Sequence, residues 1–171
     1  MELKLFPGST KKEVFEKVSS FLAYNNFRIE NYDEKRPWGG FYVIDESQSQ
    51  QFIEHFFKNV PKAKQHSNEK VSPKILIVEA EKRLSWQYHH RRSEVWKVIA
   101  GEVGVIISDT DKEKEIQLKR KGDIIILKQG ERHRLIGLKG WGIIAEIWKH
   151  TDIKHPSDEN DIVRVQDDFG R

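Results

Sequence analysis

Hydrophobic and polar positions along this chain follow two different periods, and the change between them divides it. Near the N-terminus Val14, Phe15, Val18, Phe21 and Leu22 recur at intervals of three and four, the spacing of one helix face. Thr10-Lys11-Lys12-Glu13 has the spacing of a capping box, and Asn25-Asn26 supplies a stop. A second short helix is predicted over about 50–57, where Phe52, Ile53, Phe56 and Phe57 share a face. Neither segment carries a chemical motif, so both are expected to pack against a larger body.

From Lys74 the pattern becomes short β-branched or aromatic runs, over 74–78, 94–99, 103–107, 123–127 and 143–148. Turn pairs stand between them: Ala100-Gly101, Ser108-Asp109, Lys121-Gly122, Gln129-Gly130 and Lys139-Gly140. Strands at roughly ten-residue intervals without intervening helices predict an antiparallel barrel or sandwich. The expectation is an all-β, mainly antiparallel domain over 34–171, preceded by a short helical extension over 1–33.

Composition narrows the function. A length of 171 residues suits one domain. No stretch approaches the roughly 18 uncharged apolar residues of a membrane-spanning helix. The opening MELKLFPGSTKKE lacks an apolar signal core, so a cytoplasmic protein is expected. Cysteine is absent, which excludes a disulfide framework, a thiolate zinc site and a cysteine nucleophile. Any metal must be held by nitrogen and oxygen. Thirty Lys and Arg against 27 Asp and Glu leave a net charge of +3. The charges alternate in sign, with Glu113 and Glu115 inside the lysine-rich run 112–121, so no nucleic-acid footprint is expected.

Two segments hold most of the polar residues capable of chemistry. In the first, Gln87 and His89 lie two apart and project to one face of a strand, Tyr88 and His90 to the other, and Glu94 follows after a turn. In the second, Gly122 to His133, a strand, a glycine turn and a returning strand would bring His133 opposite them. Gln87, His89, Glu94 and His133 would make a set of two nitrogens and two oxygens in a barrel mouth. Such ligands suit Zn, Fe, Mn, Ni or Co, and residue types alone do not choose among these.

The same gaps resemble the two cupin motifs. Glu81-x5-Gln87-x-His89-x4-Glu94-x6-Gly101 is similar to G-x5-H-x-H-x3,4-E-x6-G. Gly122-x5-Lys128-x-Gly130-x2-His133-x3-Gly137 is similar to G-x5-P-x-G-x2-H-x3-N. Four identities depart from the motifs: Glu81, Gln87, Lys128 and Gly137. Further segments resemble the C-terminal isomerase domain of type II mannose-6-phosphate isomerases. They are Arg36-Pro37-Trp38-Gly39, Arg83-Leu84-Ser85, His90-x-Arg92-x-Glu94-x-Trp96, His133-Arg134-Leu135 and the tail from Asp161 to Arg171.

This resemblance implies a cupin-type double-stranded β-helix, or jelly-roll barrel, holding one divalent metal, with Zn placed first. It implies a metal-dependent interconversion of mannose 6-phosphate and fructose 6-phosphate, by proton transfer through an enediolate. Glu94 and His90 are the candidate proton-transfer residues, and Arg36, Lys97, Arg134 and Arg164 the candidate phosphate ligands. A small-molecule sugar phosphate is the expected partner, with no membrane, in a homodimer. The alternatives are a non-catalytic sugar-binding or regulatory cupin and a metal-dependent oxygenase. His55, His66, His150 and His155 are expected at the surface; Trp38, Trp86, Trp96, Trp141 and Trp148 are expected in the barrel core.

Overall fold

The computed structural model describes residues 2–6, 8–63 and 69–170, which leaves His66 outside the described residues. Helix α1 spans Lys11–Tyr24, and its capping box is formed: the Glu13 amide donates to Thr10 Oγ1 while the Thr10 amide donates to Glu13 Oε2. Asn26 follows with a left-handed φ of 59°, a conformation asparagine tolerates at a helix end. Helix α2 spans Ser49–Phe57.

The strands are β1 (Ile29–Asp33), β2 (Gly39–Ile44), β3 (Val71–Val78), β4 (Trp86–Tyr88), β5 (Arg92–Ala100) and β6 (Glu102–Ser108). They continue as β7 (Gln117–Arg120), β8 (Ile124–Leu127), β9 (Arg132–Gly137), β10 (Gly142–His150) and β11 (Val163–Gln166). They form a six-stranded sheet in the order β1-β2-β3-β10-β5-β8 and a five-stranded sheet in the order β11-β4-β9-β6-β7. Every pairing is antiparallel. The all-β, mainly antiparallel jelly-roll architecture expected from the sequence is therefore present.

Residue alternation gives the six-stranded sheet two apolar faces. On β3, Ile75 and Ile77 point outward, and on β10 Ile143, Ala145 and Ile147 do the same. This face is covered by Val14, Phe15, Val18, Phe21 and Leu22 of α1 and by Phe52, Ile53, Phe56 and Phe57 of α2. Leu76, Val78, Trp96, Val98 and Ile144 point inward and meet Val103, Val105 and Leu135 of the other sheet. Because both faces are buried, β3 and β10 are largely apolar, interrupted by Lys74 and Glu146 on the inner face. The Phe-rich first third of the chain is thus the outer layer of this sheet, and β1 joins the sheet within the first 33 residues.

Strands β1, β7 and β11 had no sequence signal because they are short, largely exposed and polar, and each lies at a sheet edge. Strand β2 was also missed, since its Gly-Gly start breaks the apolar pattern. Gly39 has a φ of +137°, and a Cβ there would lie 1.9 Å from the Ile77 carbonyl oxygen, so the close approach of β2 to β3 needs glycine.

Candidate metal centre and its cavity

Alternation on the inner faces builds the site. Arg92, Glu94 and Trp96 on β5, Lys74 on β3, and Glu146 and Trp148 on β10 all line one cavity of about 370 Å³. Gln87 and Ser85 close it from the second sheet, and Trp38 and Phe41 complete an aromatic wall.

Glu94, which lines this cavity, belongs to a buried trio with His89 and His133. One ligand atom each from His89, Glu94 and His133 lies within 4.8 Å of the others. His89 Nε2 is 3.3 Å from Glu94 Oε1, and His133 Nε2 is 3.5 Å from Glu94 Oε2. The tautomers follow from the backbone: His89 Nδ1 donates to the Asp161 carbonyl at 2.6 Å, and His133 Nδ1 donates to the Glu131 carbonyl at 2.9 Å. A carbonyl can only accept, so both Nδ1 atoms carry the proton and both Nε2 lone pairs face Glu94. His133 Nε2 is buried without a hydrogen-bond partner. An orphaned imidazole lone pair beside a carboxylate is the donor chemistry that a divalent cation satisfies. The residues present therefore fit a metal.

Electrostatics agree. Burial lowers His89 to about 3 against the opposing charge of Glu94, and lowers His133 as well, so both rings are neutral ligands at pH 7. Burial would raise Glu94, but His89, Arg92 and His133 outweigh it and the carboxyl is held low. The Arg92 guanidinium is the counter-charge: Nε donates to Glu94 Oε1 at 2.7 Å and Nη2 to His89 Nε2 at 3.1 Å.

Gln87 sits opposite His133 in the β4–β9 register, and its Oε1 accepts from Ser85 Oγ at 2.5 Å. Arg36 and Arg164 line the cavity. Three nominated residues do not. His90 is exposed and packs its ring against Tyr88 at 5.3 Å, on the strand face opposite His89. Lys97 lies one position beyond Trp96, so it points to the outer face, where Nζ donates to the Phe56 carbonyl. Arg134 is one position beyond His133 and turns outward to Glu113 and Gln166. Period-2 geometry removes all three from the cavity. His55 and His155 are exposed, but His150 is buried, donating from Nε2 to Ser72 Oγ and accepting from the Ser157 amide. All five tryptophans are buried, and three of them, Trp38, Trp96 and Trp148, also line the cavity.

Lys74 and Glu146, both buried inside the cavity, were missed. They are cross-strand partners on β3 and β10, where a charge inside an apolar run was the available signal. Glu146 Oε1 accepts from Trp96 Nε1 at 2.9 Å, and the same indole donates to Glu94 Oε2 at 3.1 Å. Burial first, and the Glu94 charge second, raise Glu146 to about 8, so it holds a proton at neutral pH.

Residues 57–167 match the family described as "Mannose-6-phosphate isomerase C-terminal". The chain belongs to this family. Among solved structures, a mutant of Bacillus subtilis oxalate decarboxylase OxdC is 13% identical, with a TM-score of 0.54 over 78% of this chain and 30% of that one. This likeness shows a shared cupin fold. An oxalate oxidase in complex with glycolate is 20% identical over 56% of this chain, with a TM-score of 0.46. KdgF from Halomonas sp. is 10% identical over 77% of this chain and 92% of its own, with a TM-score of 0.49. The chain spans 46% of the oxalate oxidase chain. No curated protein matches it. Among the described residues no helix is long and apolar enough to cross a membrane.

Proposed function

We propose that this cupin is a metal-dependent sugar-phosphate isomerase that interconverts mannose 6-phosphate and fructose 6-phosphate through an enediolate. The observation that carries the reading is the buried trio whose Glu94 lines a cavity of about 370 Å³, in a chain of this family. His89, Glu94 and His133 would hold the metal, with Gln87 as a fourth ligand and Zn as the first choice. A divalent cation there supplies Lewis-acid polarisation of the sugar carbonyl.

The remaining work falls to the chain's own groups. Isomerisation moves a proton between C1 and C2, so a group that exchanges protons near pH 7 must face the sugar. Glu146 takes that role in place of His90, because its carboxyl lies inside the cavity and is protonated at neutral pH. Glu94 is committed to the metal and to Arg92. Trp38, Phe41 and Trp148 exclude water and offer apolar faces to the pyranose or open-chain carbons. A homodimer fits the exposed Ile116 and Leu118 on and beside edge strand β7, and light scattering on the eluting protein reads it.

The test is conversion of mannose 6-phosphate with elemental analysis of the same sample. Activity should follow metal content, vanish on chelation, return on reloading, and be lost in folded His89→Ala and His133→Ala proteins. Metal-loaded, folded protein that turns over no aldose or ketose phosphate would overturn the proposal. One observation favours a second reading, a non-catalytic sugar-binding cupin: the Arg92 guanidinium lies on the His89 Nε2 lone pair and on one Glu94 oxygen, two of the donors a cation needs. Binding without exchange of solvent deuterium into C1 or C2 of the sugar would establish that alternative.

A further inference from the structure

The lining of the cavity contains a buried cation whose counter-ion comes from outside the strands. Lys74 is 4% exposed, on the inner face of β3. Its ammonium lies 3.8 Å from the Trp148 ring centroid and 4.6 Å from that of Phe41. Its ion-pair partner is Glu159, on the segment between β10 and β11, whose side chain is 56% exposed. Arg36 and Arg164 line the same cavity, and Glu159 itself forms part of the lining. Trp148 also carries the Arg92 guanidinium at 3.5 Å, and Arg92 donates to Glu94 and His89. A chain of side-chain contacts therefore joins Lys74 to the metal trio.

A buried ammonium is costly without an opposite charge. The two aromatic faces offset part of that cost, and Glu159 supplies the charge. The two partners differ sharply in what separation would cost. Lys74 is held on the inner face of β3 between Trp148 and Phe41 and gains little hydration on separation. Glu159 is already half in solvent on a segment outside the strands, and it regains full hydration by turning outward. Any anion that enters the cavity and pairs with Lys74 can take its place. The residues at either side of Glu159 need not move, because Ser157 and Asp161 are pinned separately by Arg92 and by the His90 and Arg91 amides.

We propose that Lys74 anchors an anion subsite for the phosphate of the substrate, and that Glu159 is the resident counter-ion which the phosphate displaces. This deepens the sugar-phosphate reading and rests on it for the identity of the anion. It also places the phosphate where the fold puts cations. Lys97 and Arg134 point to outer faces, whereas Lys74, Arg164 and Arg36, which also pairs with Asp33, line the cavity. A dianion meets three cations there, and the sugar carbons extend along Trp148 toward the trio. Glu159 then acts as a selectivity device. It closes the subsite to neutral sugars, which carry no charge able to replace it.

Calorimetric titration of inorganic phosphate, mannitol 6-phosphate and mannitol into the wild type, Lys74→Met and Glu159→Gln tests this, since the alcohol phosphate cannot isomerise. Lys74→Met should weaken both phosphate-bearing ligands by about tenfold or more, the loss of one charge-assisted contact, and leave mannitol unchanged. Glu159→Gln should tighten both phosphates about three- to tenfold, because the competing carboxylate is gone. Near-UV dichroism checks the fold of Lys74→Met; Glu159 is exposed enough that its variant stands independently. Unchanged or weakened phosphate binding in Glu159→Gln, or unchanged binding in folded Lys74→Met, would overturn the subsite. The expected binding order in a protein that never isomerises a sugar would retain the subsite and discard the isomerase. Isomerisation with an unaltered KM in Lys74→Met would do the reverse.

Discussion

Glu81 holds a left-handed backbone, φ 59°, at the position where the first cupin motif has glycine. Glycine adopts that conformation without the Cβ clash that costs other residues about 1–2 kcal/mol, but it loses more chain entropy on folding. Relief of the clash outweighs the added entropy loss, so Glu81→Gly should raise stability by up to about 1 kcal/mol, read as a higher urea midpoint at unchanged slope. Lys128 departs from the motif's proline with a compensation: its amide donates to Glu131 Oε2 at 3.0 Å, a bond proline cannot make. Gly137, where the motif has asparagine, lies so close to the Glu79 carbonyl oxygen that a Cβ would stand 1.9 Å from it. At the proposed proton-transfer position, Glu146→Gln keeps the size and the Trp96 contact while removing the exchangeable proton. Turnover should fall by about 100-fold or more with metal content and phosphate affinity unchanged. A variant that keeps most of its turnover would exclude Glu146 from proton transfer. The grouping of His89, Glu94 and His133 was legible because motif gaps and period 2 fix which way they point. Lys74 and Glu146 were not, because their meeting depends on the β3–β10 register, which no local spacing records.

Among the elements, the segment from Ser157 to Asp161 supports more of the candidate metal centre than its lack of secondary structure suggests. The Asp161 carbonyl accepts from His89 Nδ1, and its carboxylate accepts from the His90 and Arg91 amides and from Ser157 Oγ. Arg92 Nη1 donates to Ser157 Oγ and to the Asp158 carbonyl. The strap thus fixes the tautomer of one histidine and the position of the guanidinium beside Glu94. Asp161 is a positioning residue by this geometry, and outer partners of metal-bound histidines are worth roughly 10–100-fold in metal affinity. Asp161→Ala keeps the backbone carbonyl but removes the carboxylate that anchors it to the His90 and Arg91 amides and Ser157. It should therefore weaken cation binding by up to that factor in competition with a chromophoric chelator. It should also broaden the visible bands of the cobalt-loaded protein as His89 loses its fixed orientation. Undiminished affinity and an unchanged spectrum would reduce the strap to packing. The matching tail residues were visible in the sequence, yet their purpose was not, since a backbone carbonyl accepting from a histidine leaves no side-chain signature. The two helices were legible for the opposite reason: apolar periodicity is local in both, and α1 adds a capping box, beginning one residue after Thr10.

At the scale of the whole molecule, two apolar layers share one sheet, and the inner layer encloses polar groups whose protonation the fold resists. The consequence is a pH dependence with a definite sign. His89 is lowered to about 3 and His150 to about 4, each chiefly by burial, and His133 is lowered too, from an ordinary value of 6.5. Below that value the unfolded chain binds protons that the folded chain refuses, so stability is present above about pH 6.5 and is lost as the pH falls toward 4. Each histidine contributes up to about 1.4 kcal/mol per pH unit across that window. Glu146 works in the other direction. Raised to about 8 from 4.5, it contributes stability below its unfolded value that disappears as the pH rises through 8. Between pH 4.5 and 6.5 these three histidines, joined by His55, which burial also lowers, oppose one carboxyl, so the histidines win; above 6.5 only Glu146 is left changing. The chelated protein should therefore be most stable near pH 6.5–7, with a steep acid side and a shallow alkaline side. Glu146→Gln should abolish the alkaline decline while leaving the acid side in place. Urea midpoints measured from pH 5 to 8.5 decide it, and a profile flat from 7 down to 5 would mean that these imidazoles are not held neutral by the fold.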